Sequence, residues 1–485
     1  MTTPADAARL LRSRSYLSLL VLAAIIGAPI SALAYFFLWI VDKLQRLIFT
    51  SAPHELGFHS VPLWWPVPPL LVSGVLVGLV IRYLPGGGGH SPVDGLSTKG
   101  TPTPAQLPGV VLAALATLSL GAVLGPEAPL IALGGGLAVC AIRLARRDSP
   151  AQAQAMVAAA GSFASISTLL GSPIVGAFLL MEAGGLGGAS MELVLVPGLL
   201  ASGVGALIFT GLDDWTGLGT FSLAIPHLPH LGHPDIGEFG WAVVIGLAAA
   251  LLGTSVRRLG RLIRPHIESR LLIATPAAGL VVAGLAAAYG GGTGRSVTEV
   301  LFSGQSAVPG LVANAAGYTV GALLLLLACK GLAYACSLAA FRGGPIFPAL
   351  FLGAAGGVAM SHLPGLPVVA GIAMGMGAMS AVMLRLPMTS VLLATLLLFS
   401  DGLVVMPLVI VAVVVAYVAA AWISNDTLPG GSASASGAAT SGGAGGPGGS
   451  GGAGSSGSSG GAGAGGASGG AGGSRAAGGA RNPPR

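Results

Sequence analysis

Long apolar runs, broken again and again by glycine and proline, constrain this chain more than any motif in it. They cover residues 17–30, 70–84, 110–124, 241–252, 322–328 and 403–423. Only 8% of the 485 residues are charged and 53% are hydrophobic, whereas a soluble domain carries about 25% charged residues. So few charges cannot cover a water-exposed surface of this size. A helix of about 20 apolar residues spans a bilayer, so the pattern predicts an all-α polytopic membrane protein in contact with lipid. Several runs are shorter than that or are interrupted. Irregular backbone at membrane depth is tolerated only where protein buries it or where it lines a polar cavity, which points to a channel or transporter.

The formal net charge is +6, and its placement matters more than its size. Basic residues gather in four groups: Arg9, Arg12 and Arg14; Arg82 and Lys99; Arg143, Arg146 and Arg147; and Arg257, Arg258, Arg261, Arg264 and Arg270. Cytoplasmic loops concentrate Lys and Arg, so all four groups read as inward-facing in a multi-pass cell-membrane protein. That puts the N-terminal segment 1–13 and the C-terminal tail in the cytoplasm. Nucleic acid is excluded as a partner, because it needs a basic, soluble face. The apolar run after Arg14 is too long for a signal peptide and reads as a retained first membrane helix. Cys140, Cys329 and Cys336 lie in apolar surroundings without metal-ligand spacing.

Two membrane halves are expected, residues 14–211 and 239–424, separated by an exposed loop at 212–238. That loop holds His227, His230 and His233 among Pro226, Pro229 and Pro234. Their spacing fixes no tetrahedral geometry, so neither a metal nor a cofactor is expected. The tail, 425–485, is almost pure Gly, Ser and Ala and should be disordered, because it cannot offset its ordering entropy. Paired halves of broken helices suggest an inverted repeat with its binding site near the midplane.

The segment with most chemistry is Gly121-Ala122-Val123-Leu124-Gly125-Pro126-Glu127-Ala128-Pro129. An ionisable group at membrane depth is expensive and defaults to a functional reading. Pro126 and Pro129 end the preceding helix and suit the first turn of the next. Glu127 is thereby predicted at a helix N-terminus, where free N–H groups hold anions. A carboxylate there either gates an anion site by competing for it or simply caps the helix; the residues alone leave both open. A second helix start, Phe341-Arg342-Gly343-Gly344-Pro345-Ile346-Phe347-Pro348, falls in the other half. Gly86 to Gly89, then His90, Ser91 and Pro92, should lead into a further short helix. Gly161 to Ser165 reads as a close-packing helix, and Pro173 starts a short helix ending near Glu182.

In this order, the segments resemble the CLC chloride channel and transporter family. The resemblance implies several helix N-termini converging on a central anion site, one pathway per subunit of a homodimer, and chloride or a similar small anion as the partner; an enzyme is not implied. Glu127 then corresponds to the gating glutamate, with Gly89, His90, Ser91, Gly125, Pro126, Ile346 and Phe347 around the anion. Arg385-Leu386-Pro387-Met388-Thr389-Ser390 resembles the start of the penultimate core helix. The departures are specific. Gly89 stands where the family has an anion-contacting serine. Alignment on Pro348 puts Pro345, which has no N–H, at a donor position. The family's last helix, with its anion-contacting tyrosine, has no counterpart before the low-complexity tail. Proton-coupled members carry a second glutamate on the proton pathway. Glu182 lies one residue before that position and Ala183 on it, about 100° apart around a helix. This favours gated, passive conduction over proton-coupled exchange, with fluoride transport or a non-transporting relative as the alternatives.

Overall fold

The computed structural model describes residues 12–96, 100–145, 150–167, 169–170, 172–184, 189–217, 219, 234–398 and 402–424. Arg9, Lys99, Arg146, Arg147, His227, His230, His233 and the tail 425–485 lie outside them.

Ser13 opens the first helix, α1 (Arg14–Arg46), by accepting a hydrogen bond from the Tyr16 amide at 3.1 Å. Six further helices of eleven residues or more follow in the first half among the described residues: α2 (Val67–Tyr83), α3 (Leu107–Ser119), α4 (Glu127–Ala145), α5 (Ala151–Ile166), α6 (Pro173–Ala183) and α7 (Ala189–Thr216). The second half holds α8 (Ile236–Ser269), α9 (Leu271–Thr293), α10 (Val320–Ala340), α11 (Ile346–Met360), α12 (Val368–Leu384), α13 (Pro387–Leu397) and α14 (Gly402–Ser424). Seven helices among the described residues are long and apolar enough to cross a membrane. Part of the segment predicted as an exposed loop, 212–238, is helical. Helix α7 carries Asp213 and Asp214 through to Thr216, and Asp235 starts α8 by accepting from the Gly237 amide at 2.6 Å. Short capping side chains, not average polarity, set those boundaries.

Helices here cannot be driven together by the hydrophobic effect, because lipid is as apolar as leucine; close backbone contact takes its place. Helices α4 and α5 meet through Gly134 and Gly161, and Ser162 and Ser165 donate across the interface to the Ile131 and Leu130 carbonyls at 3.0 and 2.8 Å. In the second half, α11 and α12 meet through Gly353 and Gly357 on one side and Gly371 and Gly375 on the other. Large side chains such as Ile25, Leu207, Leu251 and Leu403 remain exposed on the outside, where lipid would cover them.

One buried cation braces the centre. Lys330 of α10 is wholly buried, and its Nζ donates to the carbonyls of Glu299, Val300 and Leu301 at 2.9, 3.1 and 3.0 Å. It also lies 4.3 Å from the Phe351 ring centroid. The turn it holds ends at Phe302, a non-glycine residue at φ 58°, whose amide donates to the Gly121 carbonyl at 3.3 Å. Lys330 thus stiffens the backbone directly behind the Glu127 segment. Lys330→Met should lower stability by roughly 3 kcal/mol, since several buried carbonyls lose their donor together. Thermal unfolding in detergent checks this; an unchanged transition would mean that water replaces the ammonium.

Candidate anion site

Two helix starts face each other, one from each half. Helix α3 ends at Ser119, and seven residues of irregular chain lead to α4, which begins at Glu127. Helix α10 ends at Ala340, and α11 begins at Ile346 after Pro345. The two approach segments pair as an isolated antiparallel bridge. The Gly125 amide donates to the Gly344 carbonyl at 2.8 Å, and the Gly344 amide returns to the Gly125 carbonyl at 2.6 Å. Side chains lock the pair from outside. Ser337 accepts from the Val123 amide at 3.1 Å, and the Tyr334 hydroxyl donates to the Pro345 carbonyl at 2.7 Å. Gly125 and Gly344 must lack side chains, because a Cβ on either would overlap the Glu127 carboxyl group.

Glu127 is completely buried between them. Its Oε1 accepts from the Ile346 amide and from the Phe347 amide, the latter at 3.1 Å. These are orphan N–H groups of the first turn of α11, with the positive end of the helix dipole behind them. Its other oxygen, Oε2, is buried without a hydrogen-bond partner. A buried acceptor left unpaired costs free energy, so the carboxylate is held by one oxygen and penalised at the other. Glu127 does more than cap its own helix: it occupies the donors of a helix from the opposite half. Two such helix-start N–H groups can hold an anion, and here the Glu127 carboxylate occupies them.

Alignment on Pro348 places Pro345 at a donating position. In the structure Pro345 is the N-cap residue of α11 and, as a proline, brings no N–H, while Ile346 and Phe347 donate to Glu127. The helix expected after Ser91 is corrected. Only one 3₁₀ turn forms, at Pro92–Asp94, and Ser91 makes no side-chain capping bond to it. Gly86, Gly87, Gly88 and Gly89 all have positive φ, from 56° to 100°, so the chain there is a glycine-only turn rather than a helix lead-in. Gly89 and His90 line a cavity of about 820 Å³ that also reaches Ala128 and Pro129 of α4 and Arg342 and Gly343 before α11. They bound the approach to Glu127, whereas Gly125, Ile346 and Phe347 touch it. Pro126 is buried in the loop, and its carbonyl accepts from the Leu130 amide at 3.0 Å.

Glu182 lies in the last turn of α6 with its carboxylate engaged. Its carboxylate accepts from the Met388 and Thr389 amides at 3.1 and 2.8 Å and from the Thr389 hydroxyl at 2.6 Å. It therefore caps α13 from the end of α6. Sequence reasoning missed this partner because it lies 206 residues away, and it missed Lys330 although a lone lysine in an apolar helix was a visible signal.

Residues 73–421 match the family described as voltage gated chloride channel. The chain is 30% identical over 362 residues to the putative ion-transport protein YfeO of Escherichia coli O139:H28, covering 73% of this chain and 82% of that protein. The Shigella boydii serotype 4 protein of the same name matches equally. Among solved structures, a slow cyanobacterial Cl⁻/H⁺ antiporter superposes with TM-score 0.67 at 19% identity, over 84% of this chain and 96% of that one. A CLC-type fluoride/proton antiporter gives 0.59 at 20% identity, over 86% and 96%. A eukaryotic CLC transporter gives 0.61 at 14% identity, over 83% and 72%.

Proposed function

The chain belongs to the voltage-gated chloride channel family, whose members are membrane channels and transporters for small anions rather than enzymes, and from that premise we propose that it conducts chloride through a pathway gated by Glu127. One observation carries the reading. The Glu127 carboxylate sits on the first N–H groups of α11, where a halide would otherwise bind. Displacing or protonating the carboxylate empties those donors for an anion. The cavity along Gly89, His90 and Pro129 supplies the approach.

Passive conduction is favoured over proton-coupled exchange. Glu182 is committed to the start of α13 by three hydrogen bonds, and Ala183 brings no titratable group. A carboxylate so fully engaged is a poor proton carrier. The protein works as a homodimer with one pathway per subunit, and the arginines near the C-terminal end of α8 face the cytoplasm, together with both termini.

The full chain in proteoliposomes, loaded with chloride or fluoride and followed with an anion electrode and a pH dye, tests this. Chloride efflux without proportional proton movement is the expected result. Proton movement in fixed proportion would make it an exchanger, faster fluoride efflux would reassign the substrate, and no efflux of either anion would sink the transport reading.

A further inference from the structure

The cavity beside Glu127 contains one positive charge that the gate does not use. Arg342 follows the end of α10, and its own amide is fixed by the Thr117 hydroxyl at 3.3 Å. Its guanidinium spends Nε on the Gly87 carbonyl and Nη1 on the Phe341 carbonyl, both at 3.2 Å. A guanidinium has five N–H donors, so the remainder, including Nη2, have no partner among the described residues. No carboxylate among the described residues pairs with it. The two whose charge reaches it, Asp94 and Glu268, are both bound to Arg264 at 2.6 Å. The wall around it is bare. Gly88, Gly89 and Gly343 carry no side chains, and the first two sit at φ 72° and 100°. A Cβ on Gly88 would lie 3.5 Å from Arg342 Cγ, so the arginine stem rests on that glycine.

We propose that Arg342 forms a second anion subsite, holding a small monovalent inorganic anion in the cavity before it reaches the Ile346 and Phe347 donors. A largely buried guanidinium, partly unpaired and lining a cavity, is stabilised most by an anionic partner. It also supplies the polar contact that the glycine at position 89 cannot. The subsite rests on the transport reading, and two kinds of measurement keep the two claims separable.

In proteoliposomes, Arg342→Gln should raise the chloride concentration for half-maximal flux about tenfold, the scale of one lost charge-assisted contact. Arg342→Lys, which keeps the charge, should raise it about threefold or less. The response of flux to pH should survive in both. A merely structural arginine would instead lower stability and leave the half-saturating concentration unchanged, which overturns the proposal. If Arg342→Gln does not fold, the wild-type protein decides the matter. In detergent, chloride should slow phenylglyoxal modification of Arg342 relative to gluconate at equal ionic strength, read by peptide mass spectrometry. An identical rate in both salts would overturn the subsite. This measurement stands even if the wild-type protein carries no flux, a result that would count against transport alone.

Discussion

Replacing Glu127 with glutamine or alanine is expected to abolish the pH dependence of chloride efflux, and alanine should raise efflux at neutral pH roughly tenfold or more. The argument runs through the two α11 amides. In the native protein they are occupied by a covalently tethered anion, held through charge-assisted bonds of about 1.5–3 kcal/mol each. A free halide must displace it, and every 1.4 kcal/mol removed from that competition is worth about tenfold in occupancy. Acid weakens the native competitor by neutralising it, so wild-type flux should rise as pH falls. Alanine leaves the donors empty at any pH. Glutamine keeps the shape without the charge, so its flux should be flat with pH and lie between wild type and alanine. Efflux measured from pH 5 to 8 in all three proteins checks this. Curves with the native slope in both variants would remove Glu127 from the gate.

The second large effect concerns packing. Gly357→Leu in α11 should lower stability by about 3 kcal/mol, near the upper end of overpacking costs, and should also impair anion transport. A side chain at 357 would run into the backbone of Gly371, and one at 353 into that of Gly375. Neither collision can be relieved by a rotamer change, so the helices must separate. Helix α11 carries the Ile346 and Phe347 donors on its first turn, and its displacement moves them. Gly356 on the same helix provides the control, because a Cβ there meets nothing within 4 Å. Gly356→Ala should therefore be near neutral. Thermal unfolding in detergent with size-exclusion chromatography reads both variants. Equal stability of Gly357→Leu and wild type would mean that the α11–α12 contact is looser than the backbone distances imply.

Parts of this protein are legible in its sequence for local reasons. The all-helical membrane fold follows from the scarcity of charge. The start of α4 follows from Pro126 and Pro129, which restrict the chain on either side of Glu127 whatever surrounds them. The close α4–α5 contact follows from Gly161, Ser162 and Ser165. The illegible parts depend on distance. Which amides meet Glu127 is decided by the pairing of Gly125 with Gly344, 219 residues along the chain. The stretch from Gly86 to Pro92 reads as the lead-in to a short helix, yet four glycines with positive φ spend it on a turn. Glu182 reads as a helix-end charge, and only the folded chain brings Thr389 to it. Lys330 and Arg342 behave alike: each is an ordinary basic residue until the backbone carbonyls around it are known.

The most direct measurement is an anomalous-scattering map from crystals of the Glu127→Ala protein grown in bromide. The account predicts a bromide peak within hydrogen-bonding distance of the Ile346 and Phe347 amides, at the position of the native carboxylate oxygen. Crystals that show those amides in place and ordered, with bromide elsewhere or only on the outer surface, would contradict it.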